Sequence, residues 1–166
     1  MAWNDAIVMV GRDGNMNYSD LATQTVPLSY TSGSFKLTND WLWAQTQTSY
    51  KPIWVTRLWN TTTNQLDFTQ LILGDEVWIR LNLEVTTSWV NQEFRTFLNA
   101  WIWWASYSIY DWNRYFKVAW VKTIWAEIII NMWNADTITR PCEIMFSSDA
   151  SATIKVIGFY TSVKRR

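Results

Sequence analysis

The side chains that could do acid–base chemistry in this chain are carboxylates, because the sequence contains no histidine. Glu84 and Glu127 lie within apolar runs, where burial would raise a carboxyl pKa towards neutrality. Glu84 shares the polar face of its segment with Arg80, so an ion pair on that face is the favoured interpretation. For Glu127 we favour a satisfied, buried carboxylate at a subunit contact over a catalytic one, and the adjacent Asp75 and Glu76 would project apart on a turn.

Cys142 is the single cysteine, and it could act as a nucleophile only if a neighbouring group removed its proton. Its neighbours Pro141 and Glu143 supply no such activation, so a small, mostly buried residue is predicted. The sequence also lacks the cysteine and histidine clusters that bind zinc, phosphate-binding loops and nucleophile elbows. We therefore expect no enzymatic activity, no catalytic residue, no metal site and no cofactor.

Tryptophan is the residue type that dominates the sequence, with 14 among 166 residues. Tryptophan at this density requires large aromatic surfaces that are buried in a core or against a partner. The densest block, residues 101–112, would place indole rings on both faces if it formed a single strand. One of those faces would then meet a subunit, a ligand or solvent. A protein contact is the favoured interpretation, because Trp and Tyr are enriched at the residues that dominate binding energy in interfaces.

Two alternatives to a protein contact stay open for this block. One is an ordinary core, and the other is a sugar-binding platform in which Asp111, Asn113 and Arg114 would hold the hydroxyl groups. The predicted protein-interface residues combine aromatic residues of the block with tryptophans nearer the amino terminus: Trp3, Trp41, Trp43, Trp101, Trp103, Trp104, Tyr107, Tyr110 and Trp112.

The charge content of the chain is low, at 17% of residues, and the formal net charge is zero. A neutral chain has no electrostatic reason to bind nucleic acid, whose affinity comes largely from phosphate neutralisation. Low net charge instead favours self-association. No signal-peptide pattern begins the sequence, and no apolar run approaches the roughly 18 residues of a membrane-spanning helix. We expect protein partners, with no nucleic acid and no membrane among them.

Alternation of apolar and other residues identifies most segments as β-strands. In residues 76–87, five apolar residues recur at every second position, which is typical of a half-buried strand. Residues 89–104 fit either a helix or two strands that meet near Asn99, and strands are favoured. Residues 123–132, rich in Ile and Trp, indicate a strand that is covered on both faces. The other predicted strands are residues 53–58 and 66–71, which form a hairpin around a polar tip, and residues 116–122, 142–146 and 152–163.

This series of strands predicts an all-β fold, namely an antiparallel jelly-roll-like β-sandwich with an extended N-terminal arm. Residues 46–166 would form the sandwich. Residues 1–45 are more polar and only weakly periodic, and two interpretations stay open for them. They form either an N-terminal arm or docking segment that gains order on docking, or the first strands of the sandwich.

The order of three segments gives the chain a resemblance to a known class of proteins. A strand in residues 74–85 opens the sandwich, a bulky aromatic middle follows, and residues 152–160 close it. In this order, residues 46–166 resemble the small jelly-roll accessory proteins of tailed bacteriophage virions, meaning capsid decoration (cement) proteins and head or tail spikes. The resemblance implies a homotrimer, an arm that docks on the particle, and contacts with the major capsid protein or other virion proteins. It also implies a location in the virion after synthesis in the host cytoplasm.

Composition and resemblance together predict a non-enzymatic virion structural protein that decorates or stabilises a capsid through aromatic-rich protein contacts. Many copies would bind shallow sites between capsid subunits, so that modest contacts add up. The alternative is a carbohydrate-binding or receptor-binding tip module, in which exposed Trp side chains stack on a glycan. In that case the partner would be a glycan.

Overall fold

The protein is described by a computed structural model that covers residues 14–19, 25–28, 34–38, 44–47, 52, 55–102 and 105–164. For residues 14–19, 25–28 and 44–47, and for Ile102, Ser106 and Tyr110, the backbone alone is described. The described part of the chain contains twelve strands and one short helix: β1 (Gly14–Ser19), β2 (Thr25–Leu28), β3 (Phe35–Lys36), β4 (Ala44–Gln47), β5 (Trp59–Asn60), β6 (Gln65–Leu66), β7 (Glu76–Thr87), β8 (Gln92–Ile102), β9 (Ala105–Phe116), β10 (Val121–Asn131), α1 (Ala135–Thr139), β11 (Cys142–Ser148) and β12 (Ala152–Lys164).

The strands form two antiparallel sheets of six strands each. The first sheet has the order β10-β7-β12-β1-β4, and β2 also pairs with β12. The second sheet has the order β5-β6-β11-β8-β9, and β3 also pairs with β11. From β7 onward the chain moves between the sheets, because β7, β10 and β12 belong to the first sheet and β8, β9 and β11 to the second. The fold is therefore an all-β, antiparallel jelly-roll-like β-sandwich, which confirms the predicted fold class.

The core lies between the two sheets and follows from the alternation within each strand. In β7, Leu81 and Leu83 are fully buried, and Asn82 between them points to the other face of the sheet. Phe159 of β12 reaches the same core and meets the Trp59 ring edge-on, with ring centroids 5.3 Å apart. Both rings are almost completely buried, and truncation of a buried aromatic ring to Ala typically costs about 3–5 kcal/mol. The sandwich therefore uses part of its aromatic content for stability.

Several of the predicted strands are confirmed. β7 has the bounds predicted for it, and β11 and β12 contain the predicted segments 142–146 and 152–163. β8 confirms the favoured strand for residues 89–104, but it is one strand that passes through Asn99, so the expected meeting of two strands there is wrong. A hairpin is present in this region, but its strands are not the predicted ones: β5 and β6 flank residues 61–64, and residues 55–58 and 67–71 form no strand.

One other strand prediction is wrong, and a second is confirmed only in part. Residues 116–122 do not form one strand, because β9 ends at Phe116 and bends at residues 117–120 lead into β10. Residues 123–131 lie in β10 as predicted, but within this chain only one face of the strand is covered, because Ala126 and Ile128 are buried whereas Trp125 and Ile129 are exposed. An apolar side chain looks the same in the sequence whether it faces a core or the outer surface, so composition alone does not separate the two.

Parts of residues 1–45 are paired with the sandwich. β1 pairs with β12 and with β4, β2 pairs with β12, and β3 pairs with β11. The residues before β1 lie outside the described residues. The division of the chain into an arm of residues 1–45 and a body of residues 46–166 stays a prediction.

The short helix α1 lies between the end of β10 and the start of β11. Asn134 begins it, because its side chain accepts a hydrogen bond from the backbone N–H of Thr137 at 2.8 Å. Asp136 and Arg140, one helical turn apart, form an ion pair with an N–O distance of 3.5 Å. Over the residues that the structure describes, no helix is both long enough and apolar enough to span a membrane.

Candidate functional site

The predicted interface residues lie only partly within the described chain. Trp101, near the end of β8, and Tyr107, in β9, are exposed. Trp112 of β9 is half-buried and packs against the core, and the Arg114 guanidinium lies 5.0 Å from its ring centroid. The backbone of Tyr110 lies in β9. The other predicted residues lie outside the described residues: Trp3, Trp41, Trp43, Trp103 and Trp104.

The described residues of the aromatic block 101–112 belong to two strands, β8 and β9, and do not form a single strand. β8 and β9 pair antiparallel, with Ala100 opposite Tyr107 and Trp101 opposite Ser106. The hairpin forms one edge of the second sheet. It brings Trp101 and Tyr107 to the same end of the sandwich, the end at which α1 lies. Their role in a protein contact stays a prediction.

The polar residues beside this block have partners within the hairpin. Arg95 of β8 forms an ion pair with Asp111 and donates a hydrogen bond from Nε to Asn113 Oδ1 at 3.2 Å. Arg114 lies instead over the Trp112 ring. Asp111 and Asn113 are thus held by Arg95, and their expected role in holding sugar hydroxyl groups stays a prediction.

The outer face of the first sheet is an aromatic surface that the sequence reasoning missed. Trp78 of β7 and Trp125 of β10 are each 48% exposed, and Tyr160 of β12 is 40% exposed. Ile129 of β10 is exposed as well and lies opposite Trp78 in the strand register. These four residues are called the outer aromatic face below. The alternation in β7 contained the signal, because Trp78 occupies one of its outward positions.

Arg80 lies in the middle of the outer aromatic face. Its guanidinium forms an ion pair with Glu127 and lies 5.0 Å from the Trp125 ring centroid, within cation–π distance. In the single chain 48% of the Glu127 side chain is exposed, so its expected burial at a subunit contact stays a prediction. The expected pairing of Arg80 with Glu84 is replaced by the pairing with Glu127, and Glu84 instead lies opposite Lys155 of β12.

The charges around the outer aromatic face are balanced. Glu76 lies opposite Lys164, and Glu84 lies opposite Lys155, at outward positions of β7 and β12. The described outward positions of β7, β10 and β12 together hold three cations and three anions: Arg80, Lys155, Lys164, Glu76, Glu84 and Glu127. An aromatic surface surrounded by charges of both signs is complementary to a copy of itself that is rotated to bring opposite charges together.

Another exposed aromatic surface lies at the opposite end of the sandwich from α1. It is formed by residues 88–91, which follow β7, and by residues 117–120, which precede β10. Trp89 and Trp120 are exposed there, and the backbone N–H of Thr87 donates a hydrogen bond to the Trp120 carbonyl at 3.2 Å. This region is called the loop end below.

A cleft of about 310 Å³ lies beside α1, and its size is at the lower end of the roughly 300–1,000 Å³ of small-ligand pockets. Trp101 and Trp133 line it, and Trp133 is 75% exposed. The charged groups at its edge are Asp136 and Arg140, which form the ion pair of α1. It is called the Trp101–Trp133 cleft below. The sequence contained one signal for α1, namely the helix-capping residue Asn134 directly after Trp133.

A smaller hollow of about 160 Å³ shares Arg140 and Pro141 with the Trp101–Trp133 cleft. Asp67 lies in this hollow and accepts hydrogen bonds from the Thr69 backbone N–H at 3.2 Å and from Arg57 Nε at 3.1 Å. Burial acts to raise the pKa of Asp67, but the Thr69 hydrogen bonds and Arg57 outweigh it and hold the pKa below its ordinary value of 3.8. Amide, hydroxyl and carboxylate side chains line this polar hollow: Asn60, Thr63, Gln65, Asp67, Thr69 and Thr139.

The chemistry of the Trp101–Trp133 cleft is that of binding. Cys142 lies against the cleft, but burial raises the pKa of its thiol to about 12, so the thiol stays protonated. The described residues include no group of three or more His, Cys, Asp or Glu side chains that could hold a metal ion. Indole faces, a guanidinium and a carboxylate remain, and these can stack on and hydrogen-bond to a bound molecule.

Comparisons with known proteins relate the chain to others through its fold. No protein-family model and no curated protein matches it. Its structure is similar to that of Eiger TNF from S. frugiperda, with a TM-score of 0.52 at 6% identity over 93% of this chain and 94% of that chain. It is also similar to murine APRIL at pH 5.0, with a TM-score of 0.52 at 6% identity over 92% and 98% of the two chains. These similarities show the fold alone.

A weaker match is to the VP2 subviral particle of infectious bursal disease virus, with a TM-score of 0.47 at 9% identity. It covers 93% of this chain and 33% of that chain.

Proposed function

We propose that this protein is a non-enzymatic structural protein of a virus particle, which associates with copies of itself and decorates or stabilises a capsid. The observation that supports the proposal is the exposure of the outer aromatic face. Soluble monomers rarely expose contiguous apolar patches larger than a few hundred Å². Trp78, Trp125 and Tyr160 lie on three adjacent strands, so their exposed rings form an apolar surface that contact with another protein would remove from water.

The proposed occupant of the outer aromatic face is a second copy of this chain. Aromatic residues and Arg are the residue types enriched at the centres of protein interfaces, and both are present here with Arg80 over Trp125. Balanced charges around the face allow a rotated copy to bring groups of opposite sign together, while each Arg80 keeps its own ion pair with Glu127. A chain of zero net charge also has no long-range repulsion to overcome when copies meet.

The contact with a capsid is proposed from the predicted interface residues around the β8–β9 hairpin. Trp101 and Tyr107 are exposed on strands of the second sheet, whereas the outer aromatic face belongs to the first sheet. One surface could therefore serve contacts between copies while the other meets different virion proteins. Many weak contacts per particle would add up to stable attachment.

The outer aromatic face is tested by the mass of the purified protein, measured by light scattering after size exclusion at two concentrations. We expect an oligomer: contact between two outer aromatic faces gives a dimer, and the homotrimer expected from the resemblance needs a second, different contact. A variant with Trp78→Ser and Trp125→Ser should lower the mass to that of a monomer while it keeps the circular dichroism of a β-sandwich. Each of the two substitutions should weaken association by about 2 kcal/mol or more if the tryptophan lies at the centre of the interface.

The matched control carries Trp89→Ser and Trp120→Ser at the loop end, where two tryptophans are exposed on loops. This variant should keep the mass of the unaltered protein. A monomer at both concentrations, or equal dissociation of the two double variants, would contradict the assignment of the outer aromatic face.

The virion part of the proposal needs a separate measurement. An antibody against the protein should detect it in density-purified virus particles from the source culture, and it should remain attached through repeated banding. Variants Trp101→Ala, Trp103→Ala and Trp104→Ala should lower the amount that attaches while the mass of the free oligomer stays unchanged. Absence of the protein from purified particles would reject this function.

A further inference from the structure

The α1 end of the sandwich contains two neighbouring hollows of different character. The Trp101–Trp133 cleft offers two exposed indoles, and the polar hollow offers amide, hydroxyl and carboxylate groups. Arg140 and Pro141 belong to the lining of both, so a molecule that crosses these two residues would occupy both hollows. A ligand for this surface therefore needs an apolar face at one end and many hydrogen-bonding groups at the other.

A pyranose ring has this combination. Its C–H groups form an apolar face with slight positive charge, which is attracted to the negative face of an indole ring. Its hydroxyl groups lie around the rim, where each can donate and accept hydrogen bonds. Asp136 can accept from such hydroxyls and Arg140 can donate to them, and the two groups are already oriented by their ion pair.

The charges of the two hollows favour a neutral sugar over an anionic one. Arg140 is balanced by Asp136 in the Trp101–Trp133 cleft, and Asp67 of the polar hollow is balanced by Arg57. The carboxylate of an anionic sugar would be repelled by Asp136 and Asp67. The arginines that could attract it are already paired with these two aspartates. A neutral saccharide meets both charged pairs without this repulsion.

We propose that the α1 end binds a neutral oligosaccharide, with one pyranose ring stacked on Trp101 and Trp133 and the next ring across Arg140 and Pro141 in the polar hollow. This site is independent of the outer aromatic face. It gives the structural protein a receptor-binding or surface-binding property in addition to its contacts with other proteins.

The test is a glycan array of neutral gluco-, galacto- and manno-oligosaccharides, together with the same glycans carrying sialic or uronic acids. Binding to the neutral members is expected, and it should be confirmed in solution by saturation-transfer NMR with the bound trisaccharide. Trp133→Ala should reduce the affinity at least ten-fold, and Asp67→Asn should reduce it for disaccharides and longer chains while binding of the monosaccharide is unchanged.

Trp120→Ala is the matched control, because Trp120 is 69% exposed on a loop at the opposite end of the sandwich. It should leave sugar binding unchanged. The proposal is overturned if no neutral glycan binds, if only the anionic glycans bind, or if Trp120→Ala lowers binding as much as Trp133→Ala does. The mass measured by light scattering should be the same for both variants, so failure of the sugar site is distinguishable from failure of the proposed self-association.

Discussion

The ring of Tyr160 lies across Gly158, two residues earlier in β12. A Cβ atom placed on Gly158 would be 2.9 Å from Cε2 and 3.0 Å from Oη of Tyr160. The shorter distance is below those of real Cβ contacts and the longer one is at their lower limit, so the ring occupies space that glycine leaves open. Gly158 thus sets the position of one member of the outer aromatic face.

We predict that Gly158→Ala weakens the association between copies while it leaves the free energy of unfolding almost unchanged. The Tyr160 ring must swing aside, and the loss of its contact is offset by the roughly 0.5–1 kcal/mol that Ala gains over Gly within a strand. The free energy of unfolding in urea should therefore change by less than about 1 kcal/mol. The oligomer should nevertheless dissociate at higher concentration than the unaltered protein, because Tyr160 no longer lies in the plane of the face.

Ser162→Ala is the control for this prediction, because Ser162 is an outward residue of the same strand and lies opposite Trp78. It should change neither the stability nor the mass. If Gly158→Ala lowers the free energy of unfolding by several kcal/mol, the Tyr160 ring cannot swing aside and the prediction is contradicted.

Glu143 on the second sheet gives a prediction for acid stability. Its Oε1 accepts hydrogen bonds from Lys36 Nζ at 2.7 Å and Gln65 Nε2 at 3.1 Å, and its Oε2 accepts one from Asn99 Nδ2 at 3.4 Å. Burial acts to raise the pKa of Glu143, but these donors outweigh it and hold the pKa below the ordinary 4.5. The folded state thus binds this proton less readily than the unfolded state, so the stabilisation is present above pH 4.5 and is lost as the pH falls below that value.

The expected result is that Glu143→Gln loses less stability than the unaltered protein between about pH 6 and about pH 3. At pH 6 the variant should be less stable by about 1–3 kcal/mol, since it replaces a charged acceptor. Urea unfolding at both pH values measures the difference. Lys36→Gln should reduce the acid sensitivity in the same direction, and an unchanged pH dependence in Glu143→Gln would contradict the assignment.

Gln92 connects the loops that follow β7 and β11. Its side chain is buried, accepts hydrogen bonds from the backbone N–H groups of Ser88 at 3.0 Å and Trp89 at 3.2 Å, and donates to Ser148 Oγ and the Ala150 carbonyl at 2.8 Å. Gln92→Leu should destabilise the protein by about 2–4 kcal/mol, because it leaves these buried groups without their partner. Amide exchange of Ser88 and Trp89 should become faster in the same variant.

The control for Gln92 is Thr123→Leu, which adds the same side chain at an exposed position of β10. It should change the free energy of unfolding by no more than about 0.5 kcal/mol. Unchanged exchange at Ser88 and Trp89 in Gln92→Leu would mean that other contacts hold the loop.

The Cys142 thiol should be unreactive in the folded protein. It is 2% exposed, and burial raises its pKa to about 12, so almost no thiolate is present at ordinary pH. At about pH 8, a disulfide reagent such as DTNB should modify it only as fast as the protein unfolds. The same reagent in urea should modify it fully within minutes, and rapid modification without urea would refute the buried position.

The sequence predicted elements well where one strand face is buried and the other is not. β7 could be predicted from its alternation, because five of its six inward positions carry Val, Ile or Leu. The pairing of β8 with β9 could not be predicted, since the sequence between Ile102 and Ala105 contains none of the Gly, Pro, Asn or Asp residues that usually mark turns.

The candidate sites were harder to predict than the fold. Trp59 is buried in the core, whereas Trp133 is exposed beside α1, and nothing in the immediate neighbours of either residue distinguishes the two. Burial of a large aromatic residue is decided by which strands pair, and those pairings join distant parts of the chain. The polar hollow likewise depends on contacts between distant parts of the chain, because it combines residues 60–69 with residues 138–141.

The position of β12 has a consequence for how the chain folds. β12 pairs with β7 on one side and with β1 and β2 on the other, so Gly14 lies opposite Val163. Among the described strands, the hairpins β5–β6 and β8–β9 join residues that are close in the sequence and can form early, whereas pairings that close long loops, such as β1 with β12, form slowly. During synthesis β1 and β2 leave the ribosome long before their partner does. We therefore expect nascent chains to expose unpaired strand edges for most of translation and to depend on chaperones, or on slow synthesis at low temperature, to avoid aggregation.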